Sequence, residues 1–368
     1  MNELSIFDLL PEEEAEKHRP LKSTDWKWTF ADYPKQKNGL KVFSCFACGG
    51  GSTMGYKLAG CEVLGCCEID PKMNEVYITN HNPRFNFLMD IREFNKLPND
   101  DLPEELFHLD ILDGSPPCTT FSMAGEREES WGKKKKFREG QAEQTLDDLS
   151  FVFIETVAKL KPKCVIMENV EGLVLGEAFA YVQRIHAELK NHGYTTGHWV
   201  LKGENMGVPQ KRHRVFFISF RNDLVKFDPY SLDMAFNYEP IPYGVFKTED
   251  EKIANGKMGQ AIRQRRPGEK VEDVMYRLHG VRSGITHRIV SPSEVYPTQT
   301  AGHADIWTEN GNHPSDLDVI HSQTFPEDYD FCGQTVEYIC GMSVPPIMIK
   351  RVVNRLIESG CFRETKLP

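Results

Sequence analysis

The sequence predicts an α/β protein: a doubly wound, mostly parallel sheet with a second, smaller module. Three observations carry that expectation. From Leu40 onward, short apolar runs alternate with glycine- or proline-marked turns and amphipathic stretches, the pattern of successive strand–helix units. After Arg221 this alternation stops, and the chain to about residue 312 is rich in Pro, Gly, Arg and Tyr, with little helical periodicity. The chain has 368 residues, a length that suggests about two domains.

Taken in order, Lys41 to Ala47 is read as a buried strand, and Ser52 to Ala59 as a helix opening after Gly49-Gly50-Gly51. Glu62 to Ile69 is a second strand, and Pro71 to Asn80 a helix with proline in its first turn. A short third strand precedes Asp90, and Leu106 to Leu112 forms the fourth. Thr145 to Leu160 is helical, Lys163 to Met167 is a fifth strand ending at Glu168-Asn169, Glu177 to Asn191 is another helix, and Arg214 to Phe220 a further strand. Val344 to Leu356 returns to an apolar helical pattern after Pro345-Pro346. Four segments follow: a polar extension over 1–38 whose Trp26, Trp28 and Phe30 dock its end onto the core, a first domain over 39–220, a variable module over 221–312, and a segment over 313–368 that returns to the first domain.

Composition is that of an ordinary soluble globular protein, and no apolar run approaches the roughly 20 residues needed to span a bilayer. The N-terminus is acidic and lacks a signal-peptide pattern, so an intracellular setting is expected and the ten cysteines need not pair. A net charge of −10 argues mildly against a nucleic-acid partner, but the charge is uneven. Residues 251–290 hold nine Lys/Arg against four Asp/Glu, including Arg263, Arg265 and Arg266, and Lys133 to Lys136 form a second basic cluster. A local basic face matters more for phosphate contact than the total does, although any single cluster is more often plain solvated surface.

Chemistry concentrates at strand ends, where open α/β sheets bind their ligands. Asp113-Gly114-Ser115-Pro116-Pro117-Cys118 follows an apolar run, so a turn stiffened by prolines displays a thiol, a candidate nucleophile or an incidental buried cysteine. The glycine loop before a helix admits close approach of a ligand, and Glu68-Ile69-Asp70 ends the next strand, where ribose hydroxyls are read. Asp90 offers another acceptor on that edge. With no phosphate-loop lysine, the pocket suits an adenosine with a cationic or neutral tail. Cys45 and Cys48 have chelating spacing but lack two further ligands, so burial is the favoured reading. Glu168 is a candidate general acid, or a turn acid. In Gln210-Lys211-Arg212-His213-Arg214, alternation puts Arg212 and Arg214 on one face, suited to an anion or a carbonyl-rich ring, or merely to solvent at an edge strand.

Pro116-Pro117-Cys118 with Phe121-Ser122, Glu168-Asn169-Val170, and Gln210, Arg212 and Arg214 occur in order and resemble the motifs of the cytosine-C5 DNA methyltransferases. Phe46-Ala47, Gly50-Gly51 and Gly55 resemble that family's cofactor loop, while Gln323, Phe325-Pro326, Tyr329 and Gly341 with Ser343-Val344-Pro345-Pro346 resemble its C-terminal motifs. The resemblance covers roughly residues 40–358. It implies a class I, Rossmann-like methyltransferase fold, S-adenosyl-L-methionine as cofactor, and residues 221–312 as a target-recognition domain. Cys118 would attack C6 of a flipped-out cytosine, Glu168 would protonate N3, and Arg212, with Arg214 beside it, would bind O2. Phe46 would stack on adenine, Glu68 would bind ribose and Asp90 the adenine amino group. Gly50, Gly51, Ile69, Ile91, Pro116, Ser343 and Val344 would complete the cofactor's surroundings. The Met123 to Gln141 loop would close over DNA.

Several positions depart from the family's usual pattern: Ser44 for aspartate, Cys48 for glycine, Thr119 for glutamine, Met342 for asparagine and Asp318 for glutamate. Divergence explains them, or Cys48 and Met342 reshape the pocket for a variant alkyl donor. The expectation is a monomeric, sequence-specific methyltransferase acting on double-stranded DNA, away from membranes, in a prokaryotic or phage-like host. A restriction endonuclease partner stays open. A transfer-RNA cytosine methyltransferase is the alternative of the same chemistry, and a non-catalytic DNA-binding relative is the alternative of another class.

Overall fold

A computed structural model of the chain describes residues 19–117, 149–266, 269–281, 288–302 and 306–363. Its centre is a seven-stranded sheet in the order β3-β2-β1-β4-β5-β8-β6. The strands are β1 (Lys41–Cys45), β2 (Glu62–Glu68), β3 (Phe85–Leu88), β4 (Ile111–Gly114), β5 (Cys164–Val170), β6 (Tyr194–Lys202) and β8 (His213–Arg221), while β7 (Gln210–Lys211) stands outside this sheet. The first five run parallel. β8 runs antiparallel to both β5 and β6. The chain winds outward from β1 through β2 to β3, then returns to place β4 on the other side of β1. This reversal falls between β1 and β4, and sheets of this kind bind ligands outside the carboxyl ends of the strands at such a point. The expected doubly wound, Rossmann-like fold is therefore present.

Alternation along the strands feeds two apolar layers. Val42, Ile111, Ile166, Phe216 and Ile218 face one layer, together with Met54 and Tyr56 of α1 (Gly51–Leu58) and Ile347 to Leu356 of the C-terminal helix. Phe43, Leu112, Val165, Met167 and Phe217 face the other, with Phe94 of α3 (Ile91–Lys96), Phe153 of α4 (Leu149–Leu160) and Ile185 of α5 (Phe179–Asn191). Helix α2 (Pro71–His81) joins β2 to β3, capped by the Asp70 carboxylate. Helices thus cover both faces, as a mostly parallel sheet requires.

Several sequence expectations are corrected. The strand expected over Leu106 to Leu112 begins only at Ile111, because Pro103 and the acids Glu104 and Glu105 open a 3-10 turn over Glu104–His108. The helix expected from Glu177 starts at Phe179 after a short 3-10 turn. Strand β6, at the far edge of the sheet, was not expected at all. Residues 145–148, 118–144 and 1–18 lie outside the described residues.

The variable module holds α6 (Lys257–Arg263) and α7 (Val271–His279), packed on each other through Ala261, Val274 and Met275, and the parallel pair β9 (Arg288–Val290) and β11 (Ile306–Thr308). These two helices were also unexpected. Between those strands, β10 (Tyr296–Pro297) pairs with β7. Ser315 caps α8 (Asp316–Ser322), and Asp318 completes a capping box while accepting from Tyr243 Oη at 2.8 Å. Helices α9 (Val336–Met342) and α10 (Pro346–Ser359) follow, the latter with proline at its first position.

The N-terminal extension docks as expected from Trp26 onward. Trp28 is buried and its indole N–H donates to Thr324 O at 2.8 Å, while Trp26 packs on Phe246 and His321. Asp25 pairs with Lys350 at 2.6 Å and Arg351 at 2.7 Å on α10. Among the described residues no helix is long and apolar enough to cross a membrane.

Candidate active site

Several of the predicted residues lie around the carboxyl ends of β1 and β4. β1 ends at Cys45, and Phe46 and Cys48 then adopt positive φ, as does Gly50 at 84°. A Cβ at Gly50 would lie 2.0 Å from His81 Nε2, so only glycine permits this turn. His81 Nε2 lies 3.1 Å from Gly49 O, and Tyr329 Oη donates to the same carbonyl. Burial holds the His81 imidazole down to about 3, so the neutral ring donates from Nε2. The glycine loop is thus braced by the end of α2 and by the Gln323–Tyr329 segment. Gly51 packs on Ser343 and Val344, both buried, which places the C-terminal motif against the loop.

Glu68 ends β2, buried, and accepts from the backbone N–H of Cys48 at 2.7 Å and of Ile69 and Asp70 at 2.9 Å each. Burial pushes its carboxyl up, against these donors. A carboxylate offers about four lone-pair sites, so one remains for a ligand hydroxyl. Two residues past the neighbouring strand, β3, Asp90 caps α3 through Arg92 N at 2.8 Å and pairs with the Arg92 guanidinium at 3.2 Å. Ile69 is half-buried and Ile91 buried. The Phe46 ring is half-buried beside Phe153. An aromatic ring, two carboxylates on adjacent strand ends and a lysine-free glycine loop fit an adenosine-type cofactor and suit a triphosphate poorly. Among the described residues no cluster of three or more His, Cys, Asp or Glu side chains could hold a metal ion. Cys45 is buried and Cys48 half-buried, both as free thiols pushed up by burial. Met342 is 38% exposed at the end of α9.

β4 delivers Pro116 and Pro117, the last residues described before Cys118, which itself lies outside the described residues. Pro116 is buried, and Asn169 Nδ2 donates to its carbonyl at 3.2 Å, tying the turn to β5. Glu168, next along β5, is buried and meets Arg214 Nε at 2.8 Å. Burial pushes the Glu168 carboxyl up, while Arg214 and Arg212 pull against it. A proton is therefore available on this acid nearer neutrality than on a solvated glutamate.

The two arginines do not share a face. β7 and β8 are separate strands, β7 paired with β10 and β8 with β5, and the chain breaks at Arg212 between them. Period-two alternation holds only along a continuous strand. Arg212 instead turns into the protein, 2% exposed, and donates to the carbonyls of Gln299 at 3.0 Å, Gly341 at 3.0 Å and Ser343 at 2.7 Å. Gln210 and Gln323 extend the same buried network, joined at 2.9 Å. Both terminal nitrogens of Arg212 are thereby taken up by backbone carbonyls, and Arg214 is the arginine that pairs directly with Glu168.

Asp113 was not singled out. It stands in β4 directly before the last residue, fully buried and directly across the ladder from Ser44, whose Oγ donates to it at 2.6 Å. An aspartate directly after the apolar pair Ile111-Leu112 was the available signal.

A family model described as C-5 cytosine-specific DNA methylase matches residues 40–278. A type II methyltransferase of Staphylococcus aureus, M.Sau96I, is 29% identical over 352 residues, covering 88% of this chain and 77% of that protein. A type II methyltransferase of Neisseria gonorrhoeae, M.NgoPII, is 31% identical over 199 residues, covering 53% of this chain and 52% of that protein, so the match spans about half of its length. Among solved structures, a putative DNA modification methyltransferase encoded within an E. coli prophage has a TM-score of 0.60 at 18% identity, covering 87% of this chain and 99% of that one. A DNMT2 variant of Spodoptera frugiperda has a TM-score of 0.62 at 15% identity, covering 87% and 100%. At such identities the structural likeness shows the fold alone. The family model, which matches well over half of the chain, shows more: this chain belongs to the C-5 cytosine-specific DNA methylases.

Proposed function

We propose that this chain, a cytosine-C5 DNA methyltransferase by family, moves a methyl group from S-adenosyl-L-methionine to C5 of a cytosine flipped out of duplex DNA, through a covalent adduct on Cys118. The observation that carries the reading is the buried Glu168–Arg214 pair, 2.8 Å apart, beside the turn that leads into Cys118. Bound S-adenosyl-L-methionine supplies an electrophilic methyl group. Phe46, Gly50, Gly51, Glu68, Ile69, Asp90, Ile91, Pro116, Ser343 and Val344 are the residues proposed to hold it.

The Cys118 thiolate adds to C6, and the electron pair displaced toward N3 and O2 must be stabilised. Glu168 donates its proton to N3, which its raised carboxyl makes feasible. Arg214 keeps Glu168 aimed and offers its guanidinium to O2. C5 is then nucleophilic enough to take the methyl group, with S-adenosyl-L-homocysteine as the leaving group; a solvent water then accepts the C5 proton, the Cys118 sulfur departs as thiolate, and N3 returns its proton to Glu168. Arg212 acts at one remove, fastening the Gly341 to Ser343 segment behind the glycine loop. The module over 221–312, with its basic run, is proposed to read the DNA sequence in the major groove, with the enzyme working as a monomer inside the cell.

Incubation with duplex DNA carrying 5-fluorocytosine tests the reading. The wild-type protein is expected to form a covalent protein–DNA adduct that depends on the cofactor and disappears in Cys118→Ser. Methyl transfer to transfer RNA but not to DNA, or no adduct with any DNA, would reject it, and mass spectrometry of the product base identifies the group transferred.

A further inference from the structure

We propose that Asp113 is a positioning residue that locks the glycine loop to the strand entering Cys118, and that this lock sets cofactor affinity. The inference rests on the reading of that loop as the cofactor loop. Two hydroxyls converge on the one carboxylate. Ser44 Oγ donates to Oδ2 at 2.6 Å and Tyr56 Oη donates to Oδ1 at 3.0 Å. Ser44 lies two residues before Phe46, where the loop leaves β1, while Tyr56 lies on α1, the helix into which the loop runs. Asp113 itself stands directly before Gly114-Ser115-Pro116-Pro117. Both ends of the loop are therefore fastened to one atom pair on the neighbouring strand, at the point where the sheet reverses.

A carboxylate accepts from both hydroxyls through charge-assisted bonds, whereas protonation turns one contact round, the hydroxyl becoming the acceptor, and leaves weaker neutral bonds. Burial pushes Asp113 up to about 7, opposed by the Ser44 and Tyr56 hydroxyls and assisted by the nearby Glu168. The titratable groups that face it are Cys45 on β1, Tyr56 on α1, Tyr77 on α2 and Glu168 on β5. The ionised form holds the loop, so affinity for the cofactor rises with pH through neutrality.

Calorimetric titration of the full chain with S-adenosylhomocysteine between pH 5.5 and 8 tests this without any turnover. Losing one hydrogen bond to a charged acceptor corresponds to about tenfold in affinity. Asp113→Asn is expected to bind about tenfold more weakly at pH 8 and to lose the wild-type pH slope. The exchange Ser44→Asp with Asp113→Ser moves the carboxylate across the ladder and is expected to restore both affinity and slope. Tyr56→Phe removes one donor and is expected to weaken binding and raise the midpoint of the slope, which decides the matter if Asp113→Asn does not fold. A folded Asp113→Asn protein with wild-type affinity and slope, or a Tyr56→Phe protein with both unchanged, overturns the inference while leaving the cofactor reading intact. Wild-type protein that binds no S-adenosylhomocysteine overturns the cofactor reading and this inference together.

Discussion

Replacing each of the two arginines with methionine separates fastening from chemistry. Arg212 is buried and donates to three backbone carbonyls, at 3.0, 3.0 and 2.7 Å. Hydrogen bonds from a charged donor contribute about 1.5–3 kcal/mol each, so even at the low end Arg212→Met costs about 4.5 kcal/mol. An unfolding entropy of about 2.1 cal/mol/K per residue gives a chain of this length about 0.8 kcal/mol/K, and the melting point then falls by about 6 °C. Arg214 donates chiefly to Glu168, and that acid can take up a proton when its partner is lost, because burial already holds its carboxyl up. Arg214→Met is therefore expected to melt closer to wild type but to lose at least about 100-fold in methyl transfer, the scale of removing one donor to a developing charge. Scanning calorimetry reads the first effect, and the initial rate of adduct formation on 5-fluorocytosine DNA reads the second. If Arg212→Met keeps the wild-type melting point while losing adduct formation, or Arg214→Met captures DNA at the wild-type rate, this division of labour is refuted.

Two further perturbations follow from the same geometry. Burial would push the Asp25 carboxyl up, but Lys350 and Arg351 outweigh it and hold the group at about 2, against an ordinary 3.8. A depressed acid contributes stability above its unfolded pKa and loses it as pH falls through its folded value. After discounting for solvent screening, the contribution is about 1–2 kcal/mol. Asp25→Asn should lower the melting point by about 1–3 °C at pH 7, with the gap shrinking between about pH 4 and pH 2. A gap that widens on acidification would contradict the ion-pair account. Gly50→Ala puts a methyl group 2.0 Å from His81 Nε2 on a residue with φ of 84°. Strain of about 1–3 kcal/mol, together with the displaced imidazole, should weaken S-adenosylhomocysteine binding by more than about tenfold. Unchanged affinity in a calorimetric titration would show that the loop tolerates another path.

Much of the site was legible because its residues sit at strand ends marked by local signals. Three glycines between an apolar run and a helix, an acid at the close of the next strand, and two prolines before a cysteine each report on nearby backbone and need no distant partner. Other features were illegible for a definite reason. The Gln210 to Arg214 stretch reads as one alternating strand, yet it divides at Arg212 because β7 pairs with β10, whose residues lie some eighty positions further on. His81 and Tyr329 brace Gly49, and nothing local in either segment announces that contact.

The order of strand, glycine loop, acid and proline-stiffened turn was determined by the sequence itself, because backbone preference and apolar periodicity act over a few residues. From these follow the α/β class and the placing of Glu168, Glu68 and Asp90 at or just past strand ends. Only the tertiary structure decided which arginine pairs with Glu168, that β8 enters the sheet antiparallel between β5 and β6, and that Asp113 stands across the ladder from Ser44. Those outcomes depend on which strands pair and in what register, and pairing is a competition among distant segments that no local pattern encodes.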